Sequence, residues 1–199
     1  MSGKVVDLSS DESSLPDEFV LDTSILIAQF LGAAVQDRRG QIERAARVFE
    51  PVLAGTSTAF VAFQSMIELF HKYIVIRYEQ ELGSDRERYR SLVKGRLSWR
   101  SLYKIRDGLM REYCDELADI HLAIVASNVM VLQPFDLGSS MSSLTQDVQL
   151  LQLMRKFRLD SADAAILLDA DRAGISGVVT TDRDFRRASK NFDIYTWLA

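Results

Sequence analysis

One cysteine, three prolines and two histidines are all that 199 residues hold of these types. A lone Cys114 excludes an internal disulfide framework and suits a reducing compartment. The prolines fall at expected boundaries. Pro16 closes a polar leading segment, a helix is expected to stop near Pro51 and Gly55, and Pro134 ends a strand. No apolar run approaches membrane-spanning length: Asp22 interrupts the first candidate, and Glu68, His71 and Lys72 interrupt the second. The leading residues lack a positive stretch followed by an apolar one, so no secretory signal is visible. The expectation is a cytoplasmic protein with no membrane partner. A surplus of positive charge is also missing. The net charge is −4, which gives no support by itself to a nucleic-acid partner. Residues 1–18 nevertheless set Lys4 against Asp7, Asp11, Glu12, Asp17 and Glu18, which leaves the remainder neutral.

What is present is 47% hydrophobic and 26% charged, enough to bury the core of one globular domain. Residues 1–17 are rich in Ser and Asp and read as a flexible acidic arm; residues 18–199 read as a single domain. Strand candidates at 18–21, 58–62, 128–133, 175–180 and 192–198 alternate with helix candidates at 25–35, 41–53, 64–82, 141–157 and 162–173. Gly83 is expected to break the third helix, and Ser84 with Glu87 has capping-box spacing for the next. Residues 83–127 read as an extended helical insertion with weak points at Gly95 and Gly108. Such alternation predicts an α/β fold, three-layer α/β/α, with a central mostly parallel sheet.

Each acidic residue along these elements has a plain explanation. Asp22 can cap a helix, and Glu68 lies three residues after Ser65, the spacing of a capping box. Asp160 suits a helix N-cap and Asp163 its first turn, while Asp182 and Asp184 suit a turn. Together they ask for more. Asp22 and Asp182 both follow short apolar strands, and Glu68 follows another by a few residues. In a parallel sheet those carboxyl ends line one crevice. Carboxylates gathered there repel unless a cation offsets them, and oxygen donors alone favour Mg²⁺ or Mn²⁺ over zinc.

The order Val20-Leu21-Asp22-Thr23-Ser24, then Glu68, then Asp160-Ser161-Ala162-Asp163-Ala164, then Thr180-Thr181-Asp182-Arg183-Asp184-Phe185 resembles PIN-domain ribonucleases, among them VapC-type toxins. The last motif is the most specific. The resemblance covers about residues 19–198 and implies a PIN-like fold and a metal-dependent endoribonuclease. It implies a catalytic quartet of Asp22, Glu68, Asp163 and Asp182, binding Mg²⁺ or Mn²⁺. Asp184 would be an additional metal ligand, Asp160 an auxiliary acid, and Ser24 a substrate- or metal-positioning residue. It also implies an RNA substrate, a homodimer and, for the toxin of a toxin–antitoxin pair, a cognate antitoxin protein. The span between Glu68 and Asp163 is longer than in compact members. A housekeeping RNA-processing nuclease is the nearer alternative, and a PIN-like binding module without catalysis a third.

Arg86, Arg90 and Lys94, then Arg96, Arg100 and Lys104, recur every four residues with Tyr89, Trp99 and Tyr103 interleaved. Arg90, Lys94 and Arg100 are the substrate-binding candidates, as a wall for RNA phosphates and bases. The alternative is a solvated face paired with Glu79, Glu81, Asp85, Glu87 and Asp107. Glu68 and His71 have Glu-x-x-His spacing, but a di-iron site needs a second copy, and Ala118 precedes His121 by three. Cys114 lacks a catalytic partner in sequence. Phosphatases of the dehalogenase type require an acid where Ser24 stands, and receiver domains a lysine absent from residues 181–185.

Overall fold

The computed structural model describes residues 3–9, 14–32, 39–93, 95–133 and 145–197. Lys94, Pro134, the start of the expected helix at 141–157 and the ends of those at 25–35 and of the strand at 192–198 lie outside them. The elements in order are β1 (Val5–Asp7), β2 (Glu18–Leu21), α1 (Thr23–Phe30), α2 (Arg39–Leu53), β3 (Thr58–Ala62) and α3 (Phe63–Ser84). Then come α4 (Arg86–Leu92), α5 (Trp99–Ile105), α6 (Leu109–Ala126), β4 (Val129–Leu132), α7 (Gln146–Phe157) and α8 (Ser161–Ala173). β5 (Gly177–Val179), a 3-10 helix (Arg183–Ala188) and β6 (Asp193–Thr196) complete the described chain.

The protein is α/β, with one six-stranded sheet in the order β1-β6-β5-β2-β3-β4. Every pairing is parallel, so the expected mostly parallel sheet is wholly so. Strands of this kind are buried on both faces. Successive side chains alternate accordingly. Phe19 and Leu21 of β2 join Ala59, Val61, Val129, Val179 and Tyr195 against α1, α2, α3 and α6. Val20, Val178 and Ile194 point the other way, onto Ile166 and Leu167 of α8 and Phe157 of α7. The result is three layers with a core on each side of the sheet.

Two expectations need correcting. Residues 5–7 do not belong to a loose arm, because they pair with Ile194–Thr196 as an edge strand. Main-chain bonds make this strand: the Ile194 N–H donates to the Lys4 carbonyl at 2.8 Å and the Leu8 N–H to that of Thr196 at 2.9 Å. Gly3 packs so closely on Phe192 that a Cβ would sit 2.3 Å from its carbonyl oxygen. Composition predicts disorder from a lack of core-forming side chains, and a strand tied by backbone pairing escapes that test. Gly83 likewise does not break α3, which runs on through Ser84. One glycine within a helix this long costs only about 1 kcal/mol. The cap of α4 is therefore Asp85, accepting from the Arg88 N–H at 3.3 Å, and not Ser84.

Candidate functional site

From β2 the chain moves through β3 and β4 on one side and returns to β5 and β6 on the other. β2 is therefore the point where the winding reverses, and the carboxyl ends of β2, β3 and β5 open a crevice there. Asp22 follows the last residue of β2, Glu68 lies in the second turn of α3, and Thr180 to Asp182 follow β5. Asp160 caps α8, accepting from the N–H groups of Ala162 and Asp163 at 2.9 and 3.0 Å. Asp163 then projects from that first turn. A cleft of about 930 Å³ receives all of them: Asp22, Glu68, Asp160, Asp163 and Asp182 line it, with Lys72 and Arg183 as its cations.

Hydroxyls hold the acids in place. Ser24 Oγ and Thr180 Oγ1 both donate to Asp22 Oδ2, at 2.6 and 2.7 Å. Thr180 Oγ1 in turn accepts the Asp182 N–H at 2.8 Å, and Ser24 Oγ accepts that of Thr181 at 3.2 Å. One hydroxyl bond thus ties the end of β2 to the end of β5. Thr23 Oγ1 donates to Glu68 Oε2 at 2.6 Å, which links α1 to α3. Thr23 and Thr180 went unassigned as positioning residues in the sequence. The signal was there in the hydroxyls beside the acids, in Asp22-Thr23-Ser24 and Thr180-Thr181-Asp182.

These donors are neutral, so they orient charge without cancelling it. Asp22 is 5% exposed, and its pKa is raised by burial and by the Asp182 charge, against the hydroxyl bonds that lower it. The Asp163 carboxyl is pushed up to about 7, by burial first and then by Asp160, Asp22, Asp182 and Glu68. Asp163 therefore senses four other acids across one cleft, and a hard divalent ion suits such an oxygen donor set. Among the described residues no three acid, imidazole or thiol groups converge as a ready-made chelate.

Two expected residues are placed elsewhere or otherwise. Asp184 does not line the cleft: its carboxylate is ion-paired with Arg187 at 2.8 Å, one turn along the 3-10 helix. Ser24 does line the cleft, but its hydroxyl is committed to Asp22, so it positions that acid. Of the basic candidates, Lys94 lies outside the described residues. Arg90 is exposed on α4, while Arg100 lines a separate cleft beside α3. Tyr89 is buried, with its hydroxyl bonded to Glu81, and cannot stack a base. His71 lines the acidic cleft and meets Trp99 edge to face, ring centroids 5.7 Å apart. The Glu-x-x-His spacing thus forms no second metal motif. Cys114 is exposed. No helix among the described residues is long and apolar enough to cross a membrane.

No family model and no curated protein matches the sequence. Among solved structures, the chain is similar to the crystal structure of VapBC2 from Rickettsia felis bound to a DNA fragment from their promoter. That likeness has 9% identity and a TM-score of 0.45, and covers 90% of this chain and 98% of that one.

Proposed function

We propose that this chain is a PIN-type endoribonuclease that hydrolyses RNA phosphodiester bonds with Mg²⁺ or Mn²⁺. The observation that supports it is the gathering of Asp22, Glu68, Asp163 and Asp182 about one cleft, with the Asp163 carboxyl pushed up to about 7 by burial and then by the neighbouring acids. Asp22 and Asp163, with Glu68 and Asp182, would hold the ion. When bound, such an ion offsets phosphate charge and acidifies water. The chain's own residues do the positioning. Ser24 and Thr180 fix the Asp22 carboxylate, and Thr23 fixes Glu68. Lys72 and Arg183, the cationic side chains of the lining, face an entering phosphate.

The resemblance to VapC-type toxins extends the proposal to an antitoxin partner and a homodimer. A cleft with this excess of carboxylates, rimmed by Ile67 at 46% exposure, suits a segment that presents a basic side chain beside an apolar one. The deciding experiment is RNA cleavage with Mg²⁺ or Mn²⁺ by the wild type beside Asp22→Asn and Asp163→Asn. Wild-type cleavage lost in both variants is expected; equal activity in all three rejects the site.

A further inference from the structure

A second cleft of about 630 Å³ lies along the far half of α3, where α4 and α5 pack against it. Its floor is apolar, from Leu82 and Leu97, and its polar wall holds Arg86, Arg96 and Arg100 against the single acid Glu79. All three arginines are exposed, and Arg96 and Arg100 have no carboxylate partner among the described ion pairs. The Arg100 guanidinium lies over the Trp99 ring, 5.3 Å from its centroid. Gly95, at φ +108°, makes the turn that brings Arg96 back toward α3, a conformation that side chains beyond glycine rarely adopt.

The position matters as much as the composition. Trp99 lines this cleft and meets His71 edge to face, and His71 lines the acidic cleft, so one aromatic pair links the linings of the two. The arginine cleft meets α3 at Glu79, Leu82 and Gly83, and Glu79 lies roughly 12 Å along the helix from His71 at 1.5 Å per residue. One cleft is rich in carboxylates, the other in guanidinium groups over an indole. We infer that the arginine cleft is a subsite for single-stranded RNA that binds the chain flanking the scissile phosphate. Arg86, Arg96 and Arg100 meet its phosphates, and the Trp99–Arg100 stack receives a base. An A-form duplex hides its base faces, so the stack selects unpaired RNA. An acidic peptide could match the arginines but has no use for the indole stack.

The inference rests on the nuclease reading for its direction, yet it is tested without cleavage. Anisotropy of a fluorescein-labelled single-stranded oligouridylate is measured in EDTA for the wild type, Arg96→Ala/Arg100→Ala, Arg86→Ala/Arg96→Ala and Trp99→Ala. Each double arginine variant should weaken binding roughly tenfold and reduce the salt slope by about 1.4, for two phosphate contacts. Trp99→Ala should weaken it roughly fivefold or more, the cost of losing one stacked base. The arginines are exposed, so thermal melts of their variants should match the wild type, and they carry the test if Trp99→Ala fails to fold. No binding by the wild type, unchanged affinity in both arginine variants, or equal affinity for a duplex overturns the subsite. So does polyglutamate binding that depends on the same arginines when RNA does not bind. Arginine-dependent RNA binding by a protein that cleaves nothing would sustain the subsite and reject the nuclease reading.

Discussion

The acidic and arginine clefts share helix α3 and differ in how they are built. The acidic cleft sits on the carboxyl ends of three parallel strands, and its carboxylates are held by the hydroxyls of Thr23, Ser24 and Thr180. The arginine cleft sits at the periphery, on two seven-residue helices, and its guanidinium groups stand in solvent. The difference separates two kinds of task. Chemistry that depends on the placement of like charges is built where main chain and buried hydroxyls dictate position. Attraction for a flexible polyanion tolerates loosely held cations, because it depends on charge density more than on geometry.

The largest effects should divide along that line. Asp22→Asn and Asp163→Asn are expected to lower kcat at least about a hundredfold, as for loss of a preorganised electrostatic group. Arg96→Ala/Arg100→Ala should leave kcat near wild type and raise KM, so a steady-state comparison of the three breaks the division if the arginine pair reduces kcat. Next comes Thr180→Val, which leaves the buried Asp22 oxygen and the Asp182 N–H each short of a partner. It should cost about 1–3 kcal/mol in urea unfolding and lower kcat as well, since Asp22 and Asp182 each lose their bond to that hydroxyl.

The proton dependence follows from the raised Asp163 carboxyl. Its folded pKa of about 7 lies above the ordinary aspartate value of 3.8. The folded state therefore holds the proton more tightly, and this stabilisation is present below pH 4 and lost as pH rises through 7. In EDTA, Asp163→Asn should unfold at the wild-type denaturant midpoint near pH 4. By pH 8 it should be more stable by about 1–2 kcal/mol, once the shift is discounted for solvent screening. Millimolar Mn²⁺ should reverse that order at pH 8 by stabilising only the wild type. A gap that stays constant with pH would show that Asp163 does not sense the other acids. The smallest effect is expected at Asp160→Ala, about 1 kcal/mol of stability from the lost cap of α8. Its kcat should change far less than that of Asp163→Asn.

Much of the arrangement could be read along the chain, for reasons that differ from element to element. The β2, β3, β4 and α8 segments were legible because apolar runs of strand length and an Ala-rich helix ending at Gly174 are local signals. β1 was not legible, since its stability comes from main-chain bonds to a strand almost the whole chain away. The acids of the cleft were visible as positions at strand ends. Asp184 was expected as an additional metal ligand, and the 3-10 helix turns it onto Arg187 instead. The arginines recur at helical spacing, but spacing does not say which of them share a cleft: Arg86, Arg96 and Arg100 line one, and Arg90, on the same helix as Arg86, does not.

Residue type and order alone thus settled which segments alternate between strand and helix, and which acids stand at the strand ends. Both follow from short-range periodicity and from the single direction a parallel sheet imposes. Folding decided the rest. Whether a carboxylate is fixed by a hydroxyl 158 residues away, as Asp22 is by Thr180, depends on which strands become neighbours. That also determines how strongly one acid raises another's proton affinity, because both effects fall off over a few ångströms and neither is written in the spacing of the chain.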